Sequence, residues 1–427
     1  MSAQTDHPLR YALVNELHAR PFPSLQAPCH AVFVAIKEPL DAANRDRGRD
    51  RAHLTALLDR NGAPHPQPGA NHWSGEIGRH TLKWESHTEF VTYTAFSPGL
   101  SERAFDPAQV AVFPDDWISN APGRRICSVL VRVEVMPDSE AEIAARLEEW
   151  FVPESLACAR VIDGSAIVAG DFRIDPAGHM RFAVFVRPDT GMRRIGRIVQ
   201  RLCEVETYRA MSMLGLGRAR ELASRLNALD PALSDLVSAM TAEDIETESR
   251  LNDLLSISAE LEALAVRFSF RAGATAAYEA IVNDRIGVMR EERFGGRQTF
   301  AEFMLRRYDP AMRTVKSTEA RLRAMIERSA RAAELLRTRV DVQRSAQNQL
   351  LLESMDRRAD LQLRLQHTVE GLSVVAISYY AVNLAANVAH PLGEPLGLSK
   401  AVVLALLTPL VLAGVWFTLR RLRRLVR

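Results

Sequence analysis

Glu85, His87 and Glu89 alternate along the chain, inside a stretch that continues as HTEFVTYTAF over 87–96. On a β-strand alternate side chains point to one side, so two carboxylates and an imidazole would converge there. Such a set suits a divalent ion that takes a further ligand from outside. The same alternation also describes the solvated face of a half-buried strand, with Trp84 and Phe90 packed inward. Five of the 11 histidines (His53, His65, His72, His80 and His87) fall between 53 and 87. None shows the HExxH or HxxxH spacing that sets two ligands on one helix face.

A second group lies near the C-terminus. Ser373, Ser378, Asn383 and Asn387 interrupt the otherwise apolar GLSVVAISYYAVNLAANVA of Gly371–Ala389. Asn383 and Asn387 are one helical turn apart and share a face. Polar side chains in such a stretch generally face a bundle interior or water, so they either line a wet path or hydrogen-bond between helices. No nucleophile elbow, phosphate loop or dinucleotide fingerprint accompanies them, and no enzyme is expected. Cys29, Cys127, Cys158 and Cys203 form no CxxC pair, which suits a reducing compartment and excludes a cysteine zinc ribbon.

The elements that must carry these groups fall into four parts. Residues 1–190 mix strand signals, at 31–36, 87–96, 128–135, around 167–174 and at 181–186, with helical ones near 39–60 and at 138–150. NGAPHPQPGAN at 61–71 reads as a loop. An α/β sheet domain is predicted. Residues 191–308 lose the strand signals and read as a helical bundle, broken at Asp230-Pro231, with the glycines of GLGRAR after Leu214 allowing close helix packing. Residues 309–370 contain no breaker: Leu322, Ile326, Ser329, Ala333, Leu336 and Val340 keep heptad spacing, which predicts a long stalk helix packed against copies of itself, the alternative being packing against the bundle of its own chain. Residues 371–427 hold two 19-residue apolar stretches, Gly371–Ala389 and Ala401–Leu419, joined by HPLGEPLGLSK. A span needs about 20 residues, so a transmembrane hairpin is predicted.

Charge sets the expected orientation. Arg420, Arg421, Arg423, Arg424 and Arg427 follow the second stretch, and Arg357, Arg358 and Arg364 precede the first, whereas the link has only Lys400. By the positive-inside rule both termini are expected to be cytoplasmic, in a multi-pass protein of the bacterial inner membrane. The N-terminus has no apolar core for a signal peptide. A net charge of +2 argues against nucleic acid as a partner; the bilayer and the chain's own copies are the expected ones.

NELHARPFPSLQAP (Asn15–Pro28), LKWESHTEFVTYTAF (Leu82–Phe96) and TVEGLSVVAISYYAV (Thr368–Val382) resemble signature stretches of a bacterial membrane-anchored family, domain of unknown function 3422. The layout as a whole is similar, more distantly, to the CorA-type magnesium transporters, oligomers whose first span lines the pore and ends in Gly-Met-Asn. Here Asn383 matches the asparagine, while Ala381 and Val382 stand at the other two positions; Pro391 and Glu394 resemble the Pro-Glu of the transporter loop. That resemblance implies a homo-oligomer, a pentamer for instance, passing Mg²⁺ or another divalent cation. A ring of Asn383 carboxamides, with Asn387, Ser378 and Glu394, would form the ion pathway. The alternative is a membrane-tethered scaffold or sensor without a pore, working through its cytosolic α/β domain.

Overall fold

The computed structural model describes residues 6–7, 9–11, 13–14, 22–240, 247–393 and 399–425. Its strands are β1 (Cys29–Lys37), β2 (His72–Ile77), β3 (His80–Ser86), β4 (Phe90–Pro98), β5 (Arg124–Val135), β6 (Ala157–Val161), β7 (Ala166–Gly170), β8 (Met180–Val186) and β9 (Glu292–Arg293). Its helices are α1 (Arg47–Arg60), α2 (Asp115–Ser119), α3 (Glu140–Trp150), α4 (Met192–Ala239), α5 (Thr247–Gly287), α6 (Phe300–Arg307), α7 (Asp309–Gly393) and α8 (Lys400–Leu425).

The strands form one sheet in the order β2-β3-β4-β1-β5-β8-β7-β6-β9. Pairing is antiparallel except between β5 and β8. The α/β domain expected from the sequence is therefore present, built on a mixed sheet. β1 shows why it is central: CHAVFVAIK offers apolar side chains to both faces, as a strand covered on both sides must. Val32, Val34 and Ile36 pack with Leu54, Leu57 and Leu58 of α1 and with Trp84 and Tyr93. Phe33 looks the other way, toward Cys203 and Thr207 of α4.

The chain divides into two compact units: unit 1 is Met1–Asp244 with Asn252–Ala333, and unit 2 is Ile245–Leu251 with Glu334–Arg427. In unit 1 the sheet and most of the helices belong to the same body. α4 and α5 approach closely where Gly215 meets Thr275; a Cβ on Gly215 would lie 2.2 Å from the threonine hydroxyl. The glycine reading of GLGRAR therefore holds at Gly215. Gly196 serves a second close approach, of the Pro23 carbonyl to the first turns of α4.

Three expectations are corrected. Strand signals do not end at Gly191, because Glu292–Arg293 pairs with β6. α4 passes through Pro231: Leu226 and Leu233 are fully buried on either side, and Asp230 is held by Arg321 and Arg328 of α7. Packing there outweighs the backbone bond that proline removes. The seam at the start of α7 is covered inside the chain, since Met312, Val315, Leu322, Met325 and Ser329 are buried in unit 1. The order of elements follows the predicted layout, but nothing in it establishes a CorA-like assembly.

In unit 2, α7 continues through Gly371 to Gly393, and α8 contains Pro409. Both helices contain a segment long and apolar enough to cross a membrane, up to Ala389 in α7 and Leu404–Arg421 in α8, and both segments are almost wholly uncovered by the rest of the chain.

Candidate functional site

The turn from β3 to β4 is fixed by one buried guanidinium. Arg45, just before α1, donates from Nε to Asp50 (2.8 Å) and from its terminal nitrogens to Ser86 Oγ (3.1 Å) and to the carbonyls of His87 (2.7 Å), Thr88 and Phe90 (3.1 Å). The four bonds to residues 86–90 from a planar fork, itself anchored on Asp50, give the turn one geometry. Burial raises the Asp50 carboxyl, and Arg45 partly offsets it.

That turn presents Glu89 to α5. The carboxylate is 1% exposed and paired with Arg271, whose side chain is 15% exposed. Tyr278 Oη donates to it at 2.9 Å, and Lys37 Nζ, at the end of β1, stands 3.9 Å away. Arg271 and Tyr278 are seven residues apart and share a face of α5. The Lys37 ammonium is lowered by burial and by Arg271, with Glu89 acting the other way; the Tyr278 phenol is raised by burial and by Glu89. Here charge is buried only where it is matched.

A second polar chain crosses from the sheet to α4. Glu85 Oε1 lies 3.3 Å from Lys83 Nζ, which donates to Gln200 (2.9 Å); Gln200 donates to Glu204 (2.7 Å), and Arg285 of α5 reaches Glu204 from the far side. Glu85, Lys83, Gln200 and Glu204 line a cavity of about 30 Å³ under α4, room for one or two water molecules. It adjoins a recess of about 480 Å³ that shares His87, Phe90 and Tyr208 and adds Arg47, Asn71 and Tyr278. His87 stacks on Phe90 at 4.4 Å and Tyr208 on Tyr278 at 5.5 Å. Cys203 faces the smaller cavity as a neutral thiol, because burial raises it far above its ordinary range. Aromatic faces beside fixed donors and acceptors suit binding rather than bond cleavage.

Glu85, His87 and Glu89 thus reach one region, but not as a ligand set. β3 ends at Ser86 and β4 begins at Phe90, so His87 and Glu89 sit in a turn and the alternation lapses. Glu85 is committed to Lys83 and Glu89 to Arg271. Among the described residues no three acidic, histidine or cysteine side chains are grouped to hold a metal. Lys37, Arg45, Arg271 and Tyr278 were missed; only the seven-residue interval of Arg271 and Tyr278 could have been read in advance.

In unit 2, Asn383 donates its amide to the Tyr379 carbonyl at 3.0 Å. Asn387 is exposed one turn on, whereas Ser378 is buried, five residues from Asn383 and therefore on a different side of the helix. Arg420 lies over the Trp416 ring, 5.0 Å from its centre, and Arg421 is exposed. Glu394 and Arg427, the side chains of Arg423 and Arg424, and residues 15–21 of the NELHARP stretch lie outside the described residues.

A family model described as "Protein of unknown function (DUF3422)" matches residues 5–426. That match bears out the resemblance carried by Asn15–Pro28, Leu82–Phe96 and Thr368–Val382, and gives no support to a relationship with the CorA-type transporters. No curated protein matches the chain.

Proposed function

We propose, for a chain that belongs to the family of proteins of unknown function DUF3422, a membrane-tethered sensor or scaffold without a pore. Unit 1 receives a small ligand or partner, and unit 2 anchors it. The observation that carries the tether is the pair of apolar helices left almost uncovered by their own chain; so much exposed apolar surface needs a bilayer or a partner. In this reading both cross the cytoplasmic membrane and both termini are cytoplasmic, in keeping with the arginines outside the spans and the single Lys400 between them. The recess beside the Glu89 cluster supports the sensing half. A ligand against His87, Tyr208 and Tyr278 would act on the turn that ties the sheet to α5. Alkaline carbonate extraction tests the tether: the full chain should stay in the pellet, and a chain lacking residues 371–427 should be released. Release of the full chain would overturn the reading.

A second reading, an oligomeric path for Mg²⁺ or another divalent cation, is favoured by one observation. Every side chain from 341 to 369 in α7 is exposed, leucines included, as expected of a helix awaiting copies of itself. Assembly through this helix would bring the first spans together, with the Asn383 and Asn387 carboxamide oxygens available to a hydrated ion. Asn383→Ala should abolish flux into proteoliposomes while leaving insertion intact; undiminished uptake would end this reading.

A further inference from the structure

Lys37 and Arg271 belong to more than the Glu89 cluster. Both also line a larger cleft of about 830 Å³, walled by the loop after β1, by α4 and by α5. Its volume falls in the range of sites that hold small organic molecules. The lining is two-natured. Leu222, Leu264 and Phe268 are buried along it, and Leu40 and Phe270 stand exposed, 74% and 54%. Around them come Arg218, Arg225 and Arg267, with Lys37 and Arg271, against only two carboxylates, Asp41 and Glu221.

The arginines are not equivalent. Arg218 is paired with Glu221 at 2.9 Å, Arg225 with Glu260, and Arg271 with Glu89. Arg267 has no carboxylate partner among the described residues; its Nε donates to the Ala263 carbonyl of its own helix at 3.2 Å. Its terminal nitrogens therefore carry a fork suited to a carboxylate or phosphate. Arg267 and Arg271 are one turn apart on α5, and Arg218 and Arg225 two turns apart on α4, so each pair shares a face. The third wall includes Asp41, a non-glycine residue at φ 49°. Such a backbone is costly and persists where the surroundings fix it; the Asn44 amide holds the Asp41 carboxylate at 2.8 Å.

We infer that this cleft binds an amphiphilic anion, with a phosphate or carboxylate head on the Arg267 side and an apolar body over Leu222, Leu264 and Phe268. A purely inorganic anion would leave the apolar floor unused, and a neutral apolar molecule would leave the Arg267 fork unmatched. The inference rests on the reading of unit 1 as the ligand-receiving part. Occupation would also bear on Lys37 and Arg271, and through them on the hold over Glu89.

The test is calorimetric titration of the full chain in phosphatidylcholine nanodiscs, with empty discs subtracted. The probes are 1-naphthyl phosphate, inorganic phosphate and 1-naphthol. The naphthyl phosphate should bind at least about tenfold more tightly than either fragment, and Arg267→Gln should weaken it about tenfold, the loss expected of one charge-assisted bond. Arg220→Gln removes the same charge from an exposed position of α4 outside the cleft and should leave binding unchanged. Phosphatidylglycerol in the disc should displace the probe if the natural anion is a lipid, and leave it bound if the anion is soluble; either result fits the site. Equal binding of inorganic phosphate, or an Arg267→Gln protein that binds like its parent, would overturn the inference. Carbonate extraction of the same variant keeps loss of the site distinct from loss of the tether.

Discussion

Replacing Glu89 with alanine should be among the most damaging single changes in unit 1. The carboxylate is 1% exposed and serves Arg271, Tyr278 and, at longer range, Lys37. Its removal leaves two cations and a phenol donor facing one another without an acceptor. Breaking a buried pair from one side typically costs about 3–5 kcal/mol. Arg271 remains 15% exposed, so some water reaches it and the lower end of that range is expected. Arg271→Ala should cost less, because Glu89 keeps the Tyr278 hydroxyl and the nearby ammonium. The double variant removes the pair together, and the two effects should fall short of additivity by about 1–3 kcal/mol. Glu89→Gln keeps an acceptor for Tyr278 and should lie between the parent and the alanine variant. Urea unfolding in detergent, followed by the fluorescence of buried Trp84 and Trp117, measures all four. Strict additivity, or a Glu89→Ala cost under about 1 kcal/mol, would show that the cluster is an incidental contact.

Three further outcomes follow. Burial pushes Cys29 and Cys158 up to about 12, from an ordinary value of 9.0. The unfolded thiol therefore loses its proton first, and stability is full below pH 9 and falls by about 1.4 kcal/mol per pH unit per thiol between 9 and 12; Cys158→Ala should remove one such share of the alkaline slope in urea midpoints. Gly196→Ala would set a Cβ 1.7 Å from the Pro23 carbonyl oxygen, so a loss of about 1–3 kcal/mol and faster proteolysis within 22–28 are expected, and an unchanged digestion pattern would contradict the close approach. Leu351→Glu with Leu363→Glu should lower the mass of the detergent-solubilised particle in light scattering if α7 assembles with its own copies; an unchanged mass would count against assembly through that stretch.

What the sequence disclosed follows from which forces are local. The strand signals at 31–36 and 128–135 became β1 and β5 because a strand buried on both faces has to be largely apolar, whatever its neighbours. Gly215 was legible because a glycine within a helical pattern usually marks a close approach. Asp230-Pro231 misled because a proline rule knows only the backbone, whereas Arg321 and Arg328, some ninety residues away, anchor the helix across it. The candidate site was half legible. Glu85, His87 and Glu89 marked the region by their density of functional groups. Their partners could not be read, because Arg271 lies 182 residues from Glu89 and the turn that contains Glu89 is set by Arg45, 41 to 45 residues upstream of the groups it holds. Alternation along one strand contains no information about where the strand stops.

The exposed part of α7 poses a sharper question than the two apolar segments, which on the tethered reading a bilayer would cover. Among the described residues every side chain from 341 to 369 is exposed, Arg344 included although it pairs with Glu248, and Leu350, Leu351, Leu352, Met355, Leu361, Leu363 and Leu365 all lie in this stretch, each more than half exposed. At about 100° per residue their directions do not fall on one line. Leu350, Leu361 and Leu365 form one edge, Leu351 and Met355 the middle, and Leu352 and Leu363 the other edge, an arc of about 200° or more. A two-stranded coiled coil buries a stripe of about two positions in seven; the arc here is twice that or wider. A single partner helix would leave one edge in water, where each leucine forfeits about 1.5–3 kcal/mol of the burial it could gain. Neighbours on two sides cover the whole arc, which is the geometry of a multi-helix assembly, whether of copies of this chain or of copies and another protein. Gln343 and Gln347 continue the heptad spacing of Leu336 and Val340 with polar side chains just before this arc, and polar seam positions fix register at a cost in stability, so any such assembly would be expected to form in one alignment.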